Sequence, residues 1–331
     1  MRRMNNLEYA FLADELARAL AGKHFGRIRK LGENAYRMKI AGFEVMAELG
    51  TRIHLTKYIA ESESADKFVE KAGKELENAR LLAVEQLNKD RILAFEFDKG
   101  KLIFEMFGEG NVVLVRGGIT ICAHRYESWS DRQIKGGEPY SPPRNVPQDS
   151  IEPGEKYIIV SLMRLPLGKE YAQEALIRCG IDEKEPGRNL SGNKLLRLEQ
   201  EISSIRSEAR PYVFLDGQKI IDYALSPLTK YSGLATRMMP SLSEAADEFY
   251  QYAEKPNPEL EKLLGRLEKQ KERLASLLEE EREYRAKGDF IYEKYAEAEN
   301  LISMAKAGKF AELEKSGAAV NRKERFVEAE L

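Results

Sequence analysis

The residues best suited to chemistry at a surface are an acidic residue followed directly by a basic one, Asp90-Arg91, between two short runs typical of strands. An arginine guanidinium can bind a phosphate through two parallel hydrogen bonds, or stack on an unpaired base. A neighbouring carboxylate can orient that guanidinium, or accept hydrogen bonds from base amino groups and ribose hydroxyls. The pair is also compatible with a solvated ion pair at a hairpin edge, which would add well under about 1 kcal/mol to stability.

A second candidate turn lies before a predicted helix, at Gly168-Lys169. The surrounding segment, 166–205, resembles the helix–two-turns–helix unit of formamidopyrimidine-DNA glycosylases. Such a unit presents backbone N–H groups at a glycine turn and a helix N-terminus to a phosphate. Gly168 and Lys169 are therefore candidate phosphate-binding residues, although a tight entry into the helix would explain the glycine equally well.

The sequence offers little to an enzyme active site. The three histidines, His24, His54 and His124, lack metal-ligand spacing and do not indicate a catalytic triad. The two cysteines, Cys122 and Cys179, are far apart, as expected of reduced thiols in a cytosolic protein. Neither common glycine-rich phosphate loop occurs. We therefore expect no metal, no cofactor and no catalytic site in this chain.

Length and charge limit the function classes further. The chain has 331 residues, enough for two domains and a helical appendage, and 43% of them are hydrophobic. Its 53 Lys and Arg residues against 55 Asp and Glu give a net charge of −2, so any nucleic-acid surface must be local. The start lacks the apolar core of a signal peptide, and no run approaches the roughly 18 apolar residues of a membrane span. We expect a soluble, cytoplasmic protein that does not bind membranes.

The first half of the chain predicts an α+β fold with mostly antiparallel strands. Helical spacing covers residues 7–21 and 66–79, and Asp66 is placed to cap the second helix. Short strand-like runs fill residues 27–57 and recur at 80–87, 91–97, 101–107 and 111–116. The runs 91–97 and 101–107 have the length and turn residues of a hairpin. Residues 1–160 are therefore assigned to an α+β domain, and the Gly- and Pro-rich segment 128–155 to a linker. The resemblance of segment 166–205 to DNA glycosylases implies that the α+β domain is DNA-glycosylase-like as well.

The second half of the chain reads as helical. Residues 161–240 are assigned to the helix–two-turns–helix domain, and residues 241–331 to a long coiled-coil arm. Ser241 and Glu244 have the spacing of a capping box at the start of the first helix in that arm. A stripe at alternating steps of four and three residues then follows, in which Lys271 takes one position and leucines take the others: Leu260, Leu264, Leu267, Leu274 and Leu278. This stripe predicts the first half of a coiled coil, with its second strand absent or supplied by another chain, so self-association through the arm stays open.

Ordered segments along the chain resemble the NFACT family of ribosome-associated quality-control factors. They are the GTRIHLT run from Gly50, the NKDRIL run from Asn88, FEMFGEGNVVL from Phe104, YSPP from Tyr140, residues 165–181, and SLSEAAD from Ser241. No single segment is decisive, but their common order is difficult to obtain by chance. The resemblance extends from Leu7 to about Gly308.

The resemblance implies a function without catalysis. Members of this family bind a large ribosomal subunit that carries a stalled peptidyl-tRNA, and recruit tRNA, mainly alanine tRNA, to extend the nascent chain without mRNA. It thus implies tRNA, rRNA and the large subunit as partners. The family's tRNA-recruiting Asp-Arg dipeptide matches Asp90 and Arg91. Its first-helix aspartate matches Glu8, which keeps the charge on a longer side chain, and Arg52 lies in the matched GTRIHLT run.

Two other functions remain open on the sequence alone. A DNA-glycosylase-like nucleic-acid enzyme would be expected to begin with a proline nucleophile, whereas this chain begins Met1-Arg2-Arg3. A protein-interaction scaffold would use the coiled coil as its functional part. We expect tRNA-binding residues at Asp90, Arg91, Glu8 and Arg52, and phosphate-binding residues at Gly168 and Lys169.

Overall fold

The computed structural model describes residues 2–59, 66–144, 147–253, 258–321 and 326–329, which fall into two units, Met1–Lys255 and Pro256–Leu331. The segments predicted as separate domains, 1–160 and 161–240, both lie in the first unit. The predicted arm, 241–331, contributes its first helix to that unit and its remainder to the second.

The first helix, α1 (Asn6–Leu20), confirms the predicted helix at 7–21. Asn5 caps it, because its side chain accepts a hydrogen bond from the backbone N–H of Glu8, while the Glu8 carboxylate accepts one from the backbone N–H of Asn5. Leu12, Leu16 and Leu20 are fully buried along the face that packs on the β-sheets. The reciprocal hydrogen bonds between Asn5 and Glu8 therefore fix the start of α1, and the buried leucines fix the face that packs on the sheets.

Two antiparallel sheets form the body of the first unit, as the sequence predicts. The first contains β1 (Phe25–Gly32), β2 (Ala35–Ile40), β3 (Phe43–Glu48) and β4 (Arg52–Thr56) in that order. The second contains β5 (Leu81–Gln86), β6 (Ile92–Phe97), β7 (Gly100–Glu105), β8 (Asn111–Arg116) and β9 (Ile119–Ala123). Helix α2 (Lys67–Glu75) lies between them in sequence, and the Asp66 side chain caps it as predicted. The predicted hairpin is β6–β7.

Two of the motifs that suggested the family pack against each other. Gly50 precedes β4, Gly110 precedes β8, and both have a positive φ, +75° and +73°. A Cβ atom on Gly110 would lie 2.3 Å from the backbone nitrogen of Gly50. A side chain at either position would thus push the two loops apart. These two glycines therefore allow the two sheets to pack closely, and they supply no chemical group to a site.

The segment 128–155 is not the linker that the sequence predicts. Residues Glu127–Ser128 (β10) and Gln133–Ile134 (β11) form a short hairpin, and Ile134 is buried against the outer face of the second sheet. The Arg132 guanidinium binds both carboxylate oxygens of Glu105 at 2.6 and 3.0 Å, in the interior, and lies 4.3 Å from the ring centre of Trp129. Glycines and prolines here shape a segment that covers the sheet, so their number misled the prediction.

The rest of the first unit packs on the same core. Helices α3 (Ile158–Leu162), α4 (Lys169–Cys179) and α5 (Gly192–Ser207) include the predicted helix–two-turns–helix pair. After them come three strands in the order β13-β12-β14: β12 (Tyr212–Asp216), β13 (Lys219–Ala224) and β14 (Ala235–Met238). Helix α6 (Leu242–Ala253) then packs on β4 and β13. The mixed α/β class with antiparallel sheets is thus confirmed, with a small sheet that the sequence did not predict.

The second unit begins with a helix of 36 residues, α7 (Pro258–Glu293), which runs through Gly288 without a break. Next come α8 (Tyr295–Lys306), α9 (Phe310–Lys315) and a hairpin of β15 (Ala319–Asn321) and β16 (Phe326–Glu328). Leu267, Leu274 and Leu278 are exposed along α7, so pairing of this helix in a coiled coil stays a prediction. None of the helices in the described part of the chain is both long and apolar enough to cross a membrane.

Candidate nucleic-acid interface

A cleft of about 750 Å³ in the first unit brings the two predicted sites together. One wall contains the residues that precede and begin α1, from Arg3 to Asn6, together with Asp90 and Arg91. The other contains Pro147-Gln148, residues between α3 and α4 that include Arg164 and Gly168, and Lys169 at the start of α4. Sequence reasoning placed Asp90-Arg91 and Gly168-Lys169 in different domains, and the structure places them around one cavity.

A rigid turn presents Asp90 and Arg91 to the cleft. Asn88 and Lys89 both have positive φ, +53° and +54°, and the Asp90 N–H donates to the Leu87 carbonyl at 3.0 Å. Two successive left-handed residues closed by such a bond form the type I′ turn that suits a tight hairpin. The turn therefore joins β5 to β6 with the dipeptide at its exit.

The same turn is attached to the first helix through side-chain amides. Gln86 Nε2 donates to the carbonyls of Asn6 and Asp90 at 2.9 and 2.8 Å, and Asn6 Nδ2 donates to the Lys89 carbonyl at 3.0 Å. Asp90 Oδ1 accepts from the Arg91 N–H at 2.7 Å. Asp90 and Arg91 form no ion pair between their side chains, although both are described. The hairpin-edge ion pair considered from the sequence is therefore absent, and the Arg91 guanidinium remains available to a ligand.

Gly168 lies on the opposite side of the cleft, at a position where no larger residue fits. Its φ is +100°, and a Cβ atom would lie 2.6 Å from Cγ of Asn5. The loop before α4 therefore lies directly against the cap of α1. Gly168 thus serves the tight packing that the sequence left as its alternative role, and the neighbouring Lys169 is exposed at the cleft.

The charge of the cleft is positive, unlike that of the whole chain. Two carboxylates, Asp90 and Glu170, line it, against four cations. Among the residues that the structure describes, none of these four forms a side-chain hydrogen bond or an ion pair: Arg3, Arg91, Arg164 and Lys169. Cations that converge without internal partners create a local field that attracts phosphate groups. The sequence analysis required a local basic surface, and this cleft provides one.

One acceptor in the cleft has no donor among the described residues. Gln148 Oε1 is buried there without a hydrogen-bond partner, while its Nε2 donates to Glu152 at 3.0 Å and its backbone N–H to the Arg164 carbonyl at 2.8 Å. A buried acceptor without a donor costs free energy unless a ligand or water supplies one. Beside unpaired cations, it equips the cleft to bind a ligand that carries both anionic and hydrogen-bond donor groups, as a nucleotide does.

Glu8 and Arg52, which the resemblance implies as tRNA-binding residues, do not line this cleft and are buried. Glu8 is 0% exposed and Arg52 3% exposed. Arg52 Nε donates to Glu48 at 3.0 Å, and its guanidinium lies 4.0 Å from the centre of the Tyr250 ring. Burial raises the pKa of the Glu8 carboxyl, although the adjacent Arg2 guanidinium opposes the shift. Side chains so enclosed can influence a ligand only through their neighbours.

The histidines and cysteines have structural surroundings. His54 Nδ1 contacts the Leu55 carbonyl oxygen at 2.9 Å, and burial lowers the pKa of His54 to about 3. His124 Nδ1 contacts the Tyr36 hydroxyl at 2.7 Å, and burial raises the pKa of the Cys122 thiol to about 11. In the described ranges, no three His, Cys, Asp or Glu side chains are grouped as metal ligands. These groups therefore do not supply the candidate site.

A larger groove, about 800 Å³, lies on the outer face of the second sheet but fits an anionic ligand less well. Its cations are already engaged: Lys101 contacts Glu96 at 2.9 Å, and Arg116 contacts Glu75. The site residues predicted from the sequence do not line this groove: Glu8, Arg52, Asp90, Arg91, Gly168 and Lys169. We therefore take the cleft at Arg91 as the candidate site.

Sequence reasoning missed three residues of the cleft: Arg3, Gln148 and Arg164. Arg3 precedes the first helix, and Arg164 lies in a short loop ahead of α4. Nothing in the neighbouring sequence distinguishes these two arginines from the other Lys and Arg residues of the chain, which number 53 in all. Their common position results from the packing of α4 against α1, about 160 residues apart in sequence, which no spacing rule records.

Comparison with known proteins agrees with this architecture. A family model described as NFACT N-terminal and middle domains matches residues 9–313. The chain is 30% identical over 266 residues to a protein of Methanocaldococcus jannaschii named archaeal Rqc2 homolog aRqcH, a match that covers 70% of this chain and 39% of that protein. It is 28% identical over 121 residues to the human ribosome quality control complex subunit NEMF, covering 34% of this chain and 11% of that protein. The chain thus spans well under half the length of these relatives.

Solved structures show the same fold at lower identity. The N-terminal part of the fibronectin/fibrinogen-binding protein from Streptococcus suis superposes with a TM-score of 0.58 at 20% identity, covering 75% of this chain and 99% of that one. The fibrinogen-binding protein from Staphylococcus aureus gives a TM-score of 0.58 at 16% identity, covering 74% of this chain and 98% of that one. At these identities the likeness concerns the fold alone.

Proposed function

Because this chain belongs to the NFACT family, we propose that it acts in ribosome-associated quality control by recruiting tRNA to stalled large ribosomal subunits. In this proposal the large subunit carries a peptidyl-tRNA, and the incoming tRNA, alanine tRNA in the first instance, extends the nascent chain without mRNA. The partners are tRNA, rRNA and the large subunit, and the setting is the cytoplasm. Relatives named as ribosome quality control factors support the assignment.

The proposal assigns no catalytic residue to this chain. Peptide bonds would form in the ribosome, and the protein would hold tRNA in place. The observation that carries the proposal is the cleft, where the side chains of Arg91 and three further cations form no hydrogen bond or ion pair with the residues that the structure describes. Asp90 is held by backbone and amide hydrogen bonds beside them, which fixes its carboxylate as an acceptor for base or ribose groups. Binding of this kind depends on positioning and on charge.

Charge reversal at Arg91 tests the proposal. Arg91→Glu should lower affinity for an alanine tRNA transcript at least about tenfold at low salt, because it removes a phosphate contact and adds repulsion. It should also reduce the slope of log affinity against log salt concentration by about one contact. Filter binding between about 50 and 200 mM salt measures both quantities. Thermal unfolding should change little, since the Arg91 side chain forms no hydrogen bond or ion pair with the described residues.

The matched control is Arg210→Glu, which changes net charge equally at an exposed arginine outside the cleft whose side chain also forms no hydrogen bond or ion pair with the described residues. Its tRNA affinity should remain within about twofold of the unmodified protein. Equal losses in both variants would indicate general electrostatic attraction and contradict a site at Arg91. Unchanged binding by Arg91→Glu would also contradict it.

A further inference from the structure

The buried carboxylate of Glu8 forms hydrogen bonds toward both walls of the cleft. Its Oε2 accepts from the backbone N–H of Asn5 at 3.0 Å, which fixes the start of α1. Its Oε1 accepts from the Tyr171 hydroxyl at 3.0 Å, in the first turn of α4. The Glu8 carboxylate therefore binds Asn5, which lines one wall of the cleft, and Tyr171, which directly follows Glu170 of the other wall.

Arg2 extends this network to the small sheet. Its guanidinium binds the Glu8 carboxylate, donates to Asp222 through Nε and to the Tyr223 carbonyl at 2.8 Å, and lies 3.7 Å from the centre of the Tyr223 ring. Tyr171 closes the network, because its hydroxyl also accepts from the Leu225 N–H at 2.8 Å. Removing one partner from such an enclosed set leaves another charge or dipole unsatisfied.

The network lies directly behind the cleft. Asn5 and Asn6 line one wall, and Gly168, Lys169 and Glu170 line the other. Tyr171 is the next residue in α4, so the Tyr171–Glu8 hydrogen bond links the first turn of α4 to the start of α1 immediately behind the cleft.

We propose that Glu8 is a positioning residue, which acts from the interior through Tyr171 and Arg2 to hold the two walls of the cleft at the separation that RNA binding needs. The inference rests on the proposed function, since its ligand is the tRNA of that proposal. It differs from direct recognition by Glu8, because a carboxylate that is 0% exposed does not meet the ligand. Loss of Glu8 should change how many phosphates the cleft engages, and not only how stable the fold is.

Tyr171→Phe isolates this effect, because it removes one hydroxyl from a side chain that is 0% exposed and cannot touch RNA. Affinity for the alanine tRNA transcript should fall about three- to tenfold, and the salt slope by up to one phosphate contact, as Lys169 loses its fixed position. The matched control is Tyr36→Phe, which removes another buried hydroxyl, bound to His124, on β2 outside the cleft. That control should lose stability by a similar amount and keep the salt slope, since a purely structural defect does not change the contacts of folded molecules.

Glu8→Gln and the double variant Glu8→Gln/Tyr171→Phe complete the test. If both residues act through one contact, the binding loss of the double variant should not exceed the larger single loss. Additive losses, or a Tyr171→Phe protein that binds as the unmodified one does, would overturn the positioning role. Arg91→Glu in the same titrations separates the two proposals: normal binding by that variant, or no tRNA binding by the unmodified protein, overturns both, whereas weakened binding by Arg91→Glu beside an unaffected Tyr171→Phe overturns only this one.

Discussion

At the residue scale, the cleft depends on a glycine that could not be replaced without moving the first helix. Gly168 combines a φ of +100° with an Asn5 side chain that a Cβ atom would contact at 2.6 Å. Asn5 cannot easily move aside, because its Oδ1 accepts the Glu8 N–H at 3.1 Å as the cap of α1. Substitution here would therefore disturb backbone geometry and a helix cap together.

Gly168→Ala should lower the free energy of unfolding by at least about 2 kcal/mol, the combined cost of an unfavourable φ and an overpacked contact. Urea denaturation measures this loss. Gly180→Ala is the control, because Gly180 also has a positive φ, +66°, but no atom lies within 4 Å of its Cβ position. It should cost about 1 kcal/mol. Equal losses at the two positions would show that the contact with Asn5 contributes nothing.

At the element scale, the N-terminus of α6 is capped partly by a residue that the sequence pattern predicts and partly by a residue of a distant helix. The Ser241 half of the predicted capping box is present, since the hydroxyl accepts from the Glu244 N–H at 3.0 Å. The Glu244 carboxylate contacts Lys57 instead, at 2.9 Å. Glu15 of α1 adds an acceptor from outside the helix, binding the N–H groups of the first two residues of α6, Leu242 and Ser243, at 2.8 and 3.1 Å.

Glu15→Ala should destabilise the protein by about 1–2 kcal/mol, because it removes a carboxylate from two helix N–H groups and from the positive end of the helix dipole. Asp14→Ala changes an exposed carboxylate one residue earlier in the same helix and should alter stability by less than about 0.5 kcal/mol. Chemical denaturation of the two variants gives the comparison. A loss at Asp14 as large as that at Glu15 would indicate a general effect of charge on α1.

Elements with strong local signals could be predicted, and those that depend on distant partners could not. Leucine spacing identifies α1, and turn residues identify the β6–β7 hairpin, because these signals lie within the element itself. The β12–β13 hairpin also carries such a signal, Asp216-Gly217 between two apolar runs, which was overlooked. Strand β14 has no comparable turn signal, and its register is set by its partner β12. The same limit explains why Asp90-Arg91 was found from the sequence but its neighbour Arg164 was not.

At the scale of the whole molecule, function is expected from an uneven distribution of charge within a nearly neutral chain. A net charge of −2 accompanies a cleft with four cations and two carboxylates. All of these cleft residues belong to the first unit, Met1–Lys255. The binding activity we propose should therefore reside in that unit.

A protein that ends at Lys255 should fold on its own and bind the alanine tRNA transcript with the salt slope of the full chain. The reason is that the core and the cleft lie within residues 1–255. Circular dichroism and salt-dependent filter binding would test both points. A slope smaller by one or more contacts would show that the second unit also binds phosphates, and an unfolded product would show that the division by contacts is not a division in stability.

The position of Trp129 has a practical consequence, because it is the chain's one tryptophan and stacks on Arg132 in the first unit. Excitation near the red edge of indole absorption therefore reports fluorescence from the first unit alone, without a contribution from the long helix. Melting followed in this way, beside ellipticity that sums over all helices, would reveal whether the two parts of the chain lose their structure in one transition or in two.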